Sequence, residues 1–213
     1  MTRPTIMWQP IVTLDTAAVV GHEALARFST GSPEQVFASA AQAGSDVART
    51  LDTVCRQTAL THCPPTGWIF VNVHPASIDA QSWPSIADSP IASRVIWELP
   101  EAAGWVPHQV PSDWQVALDD VGSGYGELLR LARVPWRYLK LDRSLVSEIP
   151  HDLVVRALVH DLVQMARDRG GYVIGEGVEQ QREADGLAAL GVTYGQGFLW
   201  GRPALLKDRS DVP

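Results

Sequence analysis

A rhythm of short apolar runs, each closed by a polar or charged side chain, narrows the folds open to this chain. IFVN ends at Asn72, VIWELPE carries Glu98, and WQVALDD ends in Asp119 and Asp120. YLKLD carries Lys140 and Asp142, and VIGEGVE carries Glu176 and Glu179. Helical patterns separate these runs, and such alternation signals βα units around a mostly parallel sheet. The readable strands are Trp68–Val73, Val95–Leu99, Gln115–Asp119, Tyr138–Leu141, Val173–Glu176 and Thr193–Gly197. With an opening pair, Ile6–Thr13 and Val19–Arg27, the count is roughly eight, which favours a barrel over an open doubly wound sheet. One strand ending in Asp is ordinarily a helix cap. Several ending in carboxylate, amide or ammonium groups converge on the mouth of a barrel, where loops can surround a substrate.

The opening pair is joined by a short turn around Asp15 and Thr16 and should be antiparallel. A helix starts at Ser32-Pro33-Glu34, with a capping Ser and Pro at the first helical position. A second runs from Ser45 to His62, with Val47, Leu51, Val54, Cys55 and Thr58 on one face. Further helices are read near Leu128–Ala132, His151–Arg169 and Gln180–Leu190.

A length of 213 residues fits one domain, 1–213, and single α/β barrels reach this size. No apolar run approaches the roughly 18 residues of a membrane span. The stretch Met1–Val12 lacks the apolar core and cleavage site of a signal peptide, so the expected location is cytoplasmic. The formal charge of −7 argues against a nucleic-acid polymer as partner, because phosphate backbones are held by excess Lys and Arg. It leaves room for a small phosphate ligand held through cations. Cys55 and Cys63 match no zinc or redox spacing.

Glu23, Asn72, Glu98, Asp119, Asp120 and Glu176 are the candidate cluster. In GHEALARF, side-chain alternation puts Glu23, Leu25 and Arg27 on one face and His22 on the other, so His22 reads as a packed histidine. Crowded carboxylates repel and take up protons unless cations neutralise them. An all-oxygen donor set suits Mg2+ or Mn2+ rather than zinc. Paired ions about 3.5–4 Å apart recur in phosphate ester cleavage, and Asp119-Asp120 could supply a bridging carboxylate. Lys140 in an apolar strand reads either as half of a structural ion pair or as an ammonium steadying charge on a phosphate. DDVGSGYGE is glycine-rich but lacks the dinucleotide and Walker patterns, so it reads as a mobile loop beside the site.

These segments resemble the EAL domain family over about Trp8 to Pro203. WQPIV resembles the family's first strand, and GHEALARF carries its Glu-Ala-Leu signature with the following Arg. VNVHPASI, WELPE, ALDDVGSGY, YLKLDRSLV, VIGEGVE and GQGFLWGRP follow in the family's order. The resemblance implies a modified (β/α)8, TIM-like barrel with an antiparallel first strand. It also implies hydrolysis of cyclic di-GMP to linear pGpG with two Mg2+ or Mn2+ ions per site. By position, Glu23, Asn72, Glu98 and Asp119 would hold the first ion. Asp119, Asp120 and Glu176 would hold the second, directly or through water. Lys140 would contact the catalytic water, with Glu176 also a general-base candidate, so Lys140, Glu176 and Glu23 form the catalytic set. Arg27 would hold a substrate phosphate, and Glu179 and Gln196 complete the site. Glu101 resembles the glutamate that anchors the glycine-rich loop, which in this family links the site to a homodimer interface.

The departures lie in the first half. Against the family's pattern, no helix is expected ahead of the first strand within this sequence, and the segment from Asn72 to Glu98 is compact. Pro100, Pro107 and Pro111 rule against a long crossover helix between Glu98 and Asp119. The barrel is therefore expected to be trimmed there. Trp105, Val106, Val110 and Trp114 either form an apolar patch for a protein partner or cover the barrel in the absent helix's place. This trimming is the feature favouring the alternative function, a non-catalytic cyclic di-GMP receptor acting through a partner. A pure interaction scaffold would leave the ligand-type residues unexplained.

Overall fold

The computed structural model describes residues 3–78, 86, 88–99, 110–122 and 131–206. Strand alternation governs its architecture. Along β3 (Trp68–Asn72), Trp68 and Phe70 face one way while Ile69 and Val71 face the other. The same two-residue period runs through β4 (Val95–Leu99), β5 (Gln115–Val121), β6 (Tyr138–Leu141), β7 (Tyr172–Gly175) and β8 (Tyr194–Gln196). A sheet apolar on both faces must be covered on both: closing it buries the inner face, and helices and loops cover the outer one. With β1 (Thr5–Thr13) and β2 (Val19–Arg27), the strands form one closed barrel in sequence order.

β1 runs antiparallel to both β2 and β8, and every other neighbouring pair is parallel, as the hairpin at the start of the sequence leads one to expect. The inward residues Ile11, Phe70, Ile96, Ala117, Tyr138 and Ile174 plug the barrel floor. The outward set, including Ile69, Trp97, Leu118, Leu139 and Val173, packs beneath the helices and loops.

α1 (Pro33–Ala43) begins as read. The Ser32 hydroxyl accepts from the Gln35 backbone N–H, and the Gln35 side chain accepts from the Ser32 N–H, a reciprocal cap. α2 (Ser45–Thr61) buries Ala48, Leu51, Asp52, Cys55, Arg56 and Ala59. Its inner face is thus turned from the apolar stripe read in the sequence, towards a buried ion pair in which Arg56 Nη2 lies 3.1 Å from Asp52 Oδ2. α3 (Arg143–Glu148), α4 (Leu153–Asp168) and α5 (Gln181–Ala189) cover the later strands. Asp142 and Asp152 cap α3 and α4 through their carboxylates. Of the helix read near Leu128–Ala132, only its end lies among the described residues, and residues 131–133 are helical.

The first half is lean among the described residues. From β3 to β4 they form only the 3-10 turns Pro75–Ser77 and Ala92–Arg94. Val110 is buried, and Trp114 stacks on Trp97 at 4.4 Å, so these two side chains cover the barrel wall. Trp105 and Val106 lie outside the described residues, as does Glu101. No helix among the described residues is long and apolar enough to cross a membrane.

Burial also separates the two thiols. Cys55 is buried in α2, and burial, aided by the neighbouring Asp52 charge, pushes its thiol up to about 12. Because the thiolate is the reactive form, native protein treated with iodoacetamide should be alkylated at the half-buried Cys63 and spared at Cys55 until denatured. Peptide mass mapping reads the result. Equal labelling of both thiols would show α2 opening from the barrel.

Candidate active site

The barrel geometry carries the polar strand ends into one layer above the apolar plug. Register pairs Gln9 with Glu23, Glu23 with Phe70, Asn72 with Glu98, and Glu98 with Ala117. One step up each strand from the plug, the inward positions are Glu23, Asn72, Glu98, Asp119, Lys140 and Gln196, with Glu176 just past the end of β7. Gln9 joins them from β1, whose reversed direction brings its early residues to the mouth.

Lys140 stands at the centre. Its ammonium contacts Glu98 Oε1 closely, lies 2.9 Å from Asp119 Oδ1 and 2.7 Å from Glu176 Oε1, and is 3.6 Å from Glu23 Oε2. Lys140 is 1% exposed and Glu98 is fully buried. Asn72 Nδ2 donates to Glu23 Oε1 at 3.0 Å and to Glu98 Oε2 at 2.9 Å, which turns its carbonyl oxygen away from them. Gln196 Nε2 donates to Glu23 Oε2 at 2.5 Å and to Gln9 Oε1 at 3.2 Å, and Gln9 Nε2 donates to the Gly201 carbonyl.

The Asp119-Asp120 pair reaches the site through a backbone device. Consecutive strand residues point to opposite faces. Between Leu118 and Val121, however, β5 carries one more residue than β6 does between Leu139 and Leu141, which is a β-bulge. Asp120 sits there at φ 56°, a left-handed conformation that Asp tolerates better than most residues. Carboxylate oxygens of Asp119, Asp120 and Glu176 consequently all lie within 4.8 Å of one another. Nearby, Gly197 follows Gln196 where an added Cβ would stand 2.1 Å from the Val178 carbonyl oxygen. Only glycine lets the β8 end approach the Glu176–Glu179 loop so closely.

The electrostatics follow from crowding. Burial raises the Glu98 carboxyl well above the usual carboxylate range, Glu23 adds to this, and Lys140 opposes it. Burial likewise raises Glu176 well above that range, against the pull of Lys140. Asp120 rises to about 6 through burial and the charge of Asp119. For Lys140 burial is the largest single influence and lowers its pKa. Asp119, Glu176, Glu23 and Glu98 together override it and hold the ammonium well above its ordinary value.

The donor set fits hard divalent cations. It is all oxygen, and Asp119, Asp120 and Glu176 each bring a carboxylate oxygen to one spot at the mouth.

Two of the residues read from the sequence lie away from this layer. Arg27 donates from Nη1 to the Ala26 carbonyl and lines a cavity of about 590 Å3 that runs from Asn72 and Asp119 towards α1 and α2. Glu179 pairs with Arg143 at 2.5 Å on the rim of a second cavity of about 440 Å3, beside Gln196 and Phe198. Gln9, Arg143 and Glu183 were not singled out by sequence. Glu183 is buried and accepts from the backbone N–H groups of Glu179 and Gln180 at 2.7 and 3.0 Å, fixing the loop after Glu176. Gln9 had a signal available, as a polar residue at an inward position in an otherwise apolar strand.

A closed α/β barrel with an acidic layer at the C-terminal mouth of its parallel strands defines the class. Within it, the EAL domain model matches residues 3–203, and the chain belongs to the EAL domain family. It is 29% identical over 238 aligned residues to the uncharacterized protein y4lL of Sinorhizobium fredii, covering 97% of this chain. It is 40% identical over 88 residues, 41% of this chain, to MucR of Pseudomonas aeruginosa, a bifunctional diguanylate cyclase/cyclic di-GMP phosphodiesterase. The chain spans 28% of y4lL and 13% of MucR. Its fold matches the MucR phosphodiesterase in complex with cyclic di-GMP, with a TM-score of 0.73, 27% identity, and coverage of 95% of this chain and 92% of that one. It also matches the manganese and cyclic di-GMP complex of BlrP1 from Klebsiella pneumoniae, with a TM-score of 0.77, 25% identity, and coverage of 95% and 56%.

Proposed function

We propose that this chain, read as one EAL domain over residues 1–213, hydrolyses cyclic di-GMP to linear pGpG with two Mg2+ or Mn2+ ions. The observation that carries the reading is the ring of Glu23, Glu98, Asp119 and Glu176 around the buried Lys140 ammonium. Structure has little use for four carboxylates on one buried cation, since burying such charges costs more than an apolar core would. A phosphodiester site uses both signs of charge.

Glu23, Asn72, Glu98 and Asp119 would hold one ion, and Asp119, Asp120 and Glu176 the other. When bound, the ions lower the pKa of an attacking water and neutralise charge on the phosphate. Lys140 Nζ donates to that water and to developing negative charge on the phosphate oxygens. Glu176 accepts the water's proton. Gln196 and Gln9 brace Glu23, and Arg27, on the cavity wall, would hold a substrate phosphate. Glu179 lies on the rim of the other cavity, where the far end of the dinucleotide would rest.

The test is incubation with cyclic di-GMP and Mg2+ or Mn2+, with pGpG followed by chromatography and light scattering on the same sample to read the expected homodimer. Metal-dependent pGpG is the expected product. Binding of cyclic di-GMP without turnover would make the chain a receptor. Neither binding nor turnover by folded protein would overturn the reading.

A further inference from the structure

Among Glu23, Glu98, Asp119, Asp120 and Glu176, only Glu176 stands outside a strand, because β7 ends at Gly175. Its carboxylate goes where the loop 176–179 puts it. Backbone bonds hold part of that loop: the Glu176 N–H donates to the Leu141 carbonyl and the Val178 N–H to the Gln196 carbonyl, each at 3.0 Å. Glu183 of α5 accepts from the N–H groups of Glu179 and Gln180. A further anchor is Arg143, the first residue of α3. Its Nη1 donates to the Gly177 carbonyl at 2.9 Å and meets Glu179 Oε1 at 2.5 Å.

The stem of Arg143 is engaged as well as its head. Gly177 is left-handed at φ 62°, and a Cβ added there would stand 2.7 Å from Arg143 Cβ and 2.8 Å from its Cγ. The aliphatic chain thus lies along the glycine's α-carbon while the guanidinium holds the carbonyl of the same residue. Gly177 directly follows Glu176, so the clamp fixes the backbone from which the Glu176 side chain springs. Stability does not account for it. The Arg143 and Glu179 side chains are 49% and 38% exposed, and ion pairs this open to water add little to folding.

We propose that Arg143 is a positioning residue for Glu176. By clamping Gly177 and Glu179, it keeps the Glu176 carboxylate beside Asp119 and Asp120, where the second ion of the proposed reaction would bind. The inference rests on that two-ion reading. The three carboxylates have oxygens within 4.8 Å of one another, and the charges of Asp119 and Glu23 act against that of Glu176. A loosened loop would let repulsion carry Glu176 out of the cluster. Groups one step behind a metal ligand fix its direction, and their loss commonly costs about tenfold to a hundredfold in metal affinity.

The experiment titrates Mn2+ into wild type, Arg143→Met and Arg143→Lys without nucleotide, read by calorimetry and electron paramagnetic resonance. Methionine keeps a stem and loses the donors, whereas lysine keeps a cation on a shorter reach. Because the pair is exposed, all three should melt alike in chelator. Wild type is expected to take two ions and show the coupled spectrum of a close pair. Arg143→Met should bind the first ion as wild type does and the second about tenfold or more weakly, giving the spectrum of isolated ions at the same Mn2+ concentration. Arg143→Lys should fall between them. Two ions bound by Arg143→Met as tightly as by wild type would overturn the assignment and leave the two-ion reading in place. Equal weakening of both ions, or a lowered melt in chelator, would make Arg143 a general support of the mouth and overturn it too. A folded wild type that takes fewer than two ions overturns the two-ion reading and this inference together.

Discussion

Lys140→Met should cut pGpG formation by about a hundredfold to a thousandfold, the usual effect of removing one preorganised donor from a charge-developing site. It should also destabilise the metal-free protein by about 3–5 kcal/mol, because Lys140 is 1% exposed and its removal leaves buried carboxylates uncompensated. The two losses separate on adding Mn2+, which should recover most of the melting temperature and little of the turnover. The pH dependence has a defined sign. Burial raises Glu98 and Glu176 in the folded chain, so the folded state binds more protons than the unfolded one. Their contribution is intact below the ordinary glutamate value of about 4.3 and is lost as pH rises towards the raised folded values. Removing the ammonium raises both carboxyls further, since Lys140 is what opposes their shift. Metal-free Lys140→Met should therefore fall behind wild type more steeply with rising pH. A variant that melts like wild type without metal at neutral pH would show that the ammonium is not the counter-charge.

The sequence revealed this barrel because its strands end in residues that a structural strand has no reason to carry. Asn72, Glu98, Asp119 and Lys140 stand at inward positions of apolar runs, and inward positions one step above the plug share a layer. The start of α1 was equally legible, since Ser32 and Pro33 act through local chemistry that needs no tertiary partner. What depended on distant partners was harder to see. Hydropathy treats Asp52 and Arg56 as surface residues, yet they neutralise one another on the buried face of α2. Strand periodicity would send Asp120 away from Asp119, and only the bulge returns it. The resemblance offers Glu179 as a substrate contact, and strand pattern gives no sign that Arg143, from the preceding unit of the chain, pairs with it at the rim. In each case a local pattern was overridden by a contact from elsewhere in the sequence.

Glu23 offers a sharper test, because stability and function should move in opposite directions there. Its carboxylate accepts from Asn72 and Gln196 and faces Lys140, and its charge is the second contributor, after burial, to the raised Glu98 carboxyl. Glu23→Gln keeps the shape while removing the charge, its new amide N–H being accepted by the otherwise unpartnered Gln196 Oε1 once that amide turns over. Lys140 retains Glu98, Asp119 and Glu176, so the ammonium stays compensated while Glu98 is relieved of a like charge. Metal-free Glu23→Gln should thus be more stable than wild type by about 1 kcal/mol, as is common when a strained functional site is relaxed. The same change removes an anionic oxygen from the proposed first ion site. Metal affinity and pGpG formation should then fall by about a hundredfold or more, beyond the effect of losing an outer partner of a metal ligand. Glu23→Ala should lose as much activity without the gain in stability, because the Asn72 and Gln196 amides lose their shared acceptor. Melting curves in chelator, Mn2+ titration and the chromatographic assay together read all three quantities. If Glu23→Gln melted below wild type without metal, the carboxylate layer would be a structural network held by Lys140. A gain in stability with loss of metal binding and turnover is the pattern of a site built for cations.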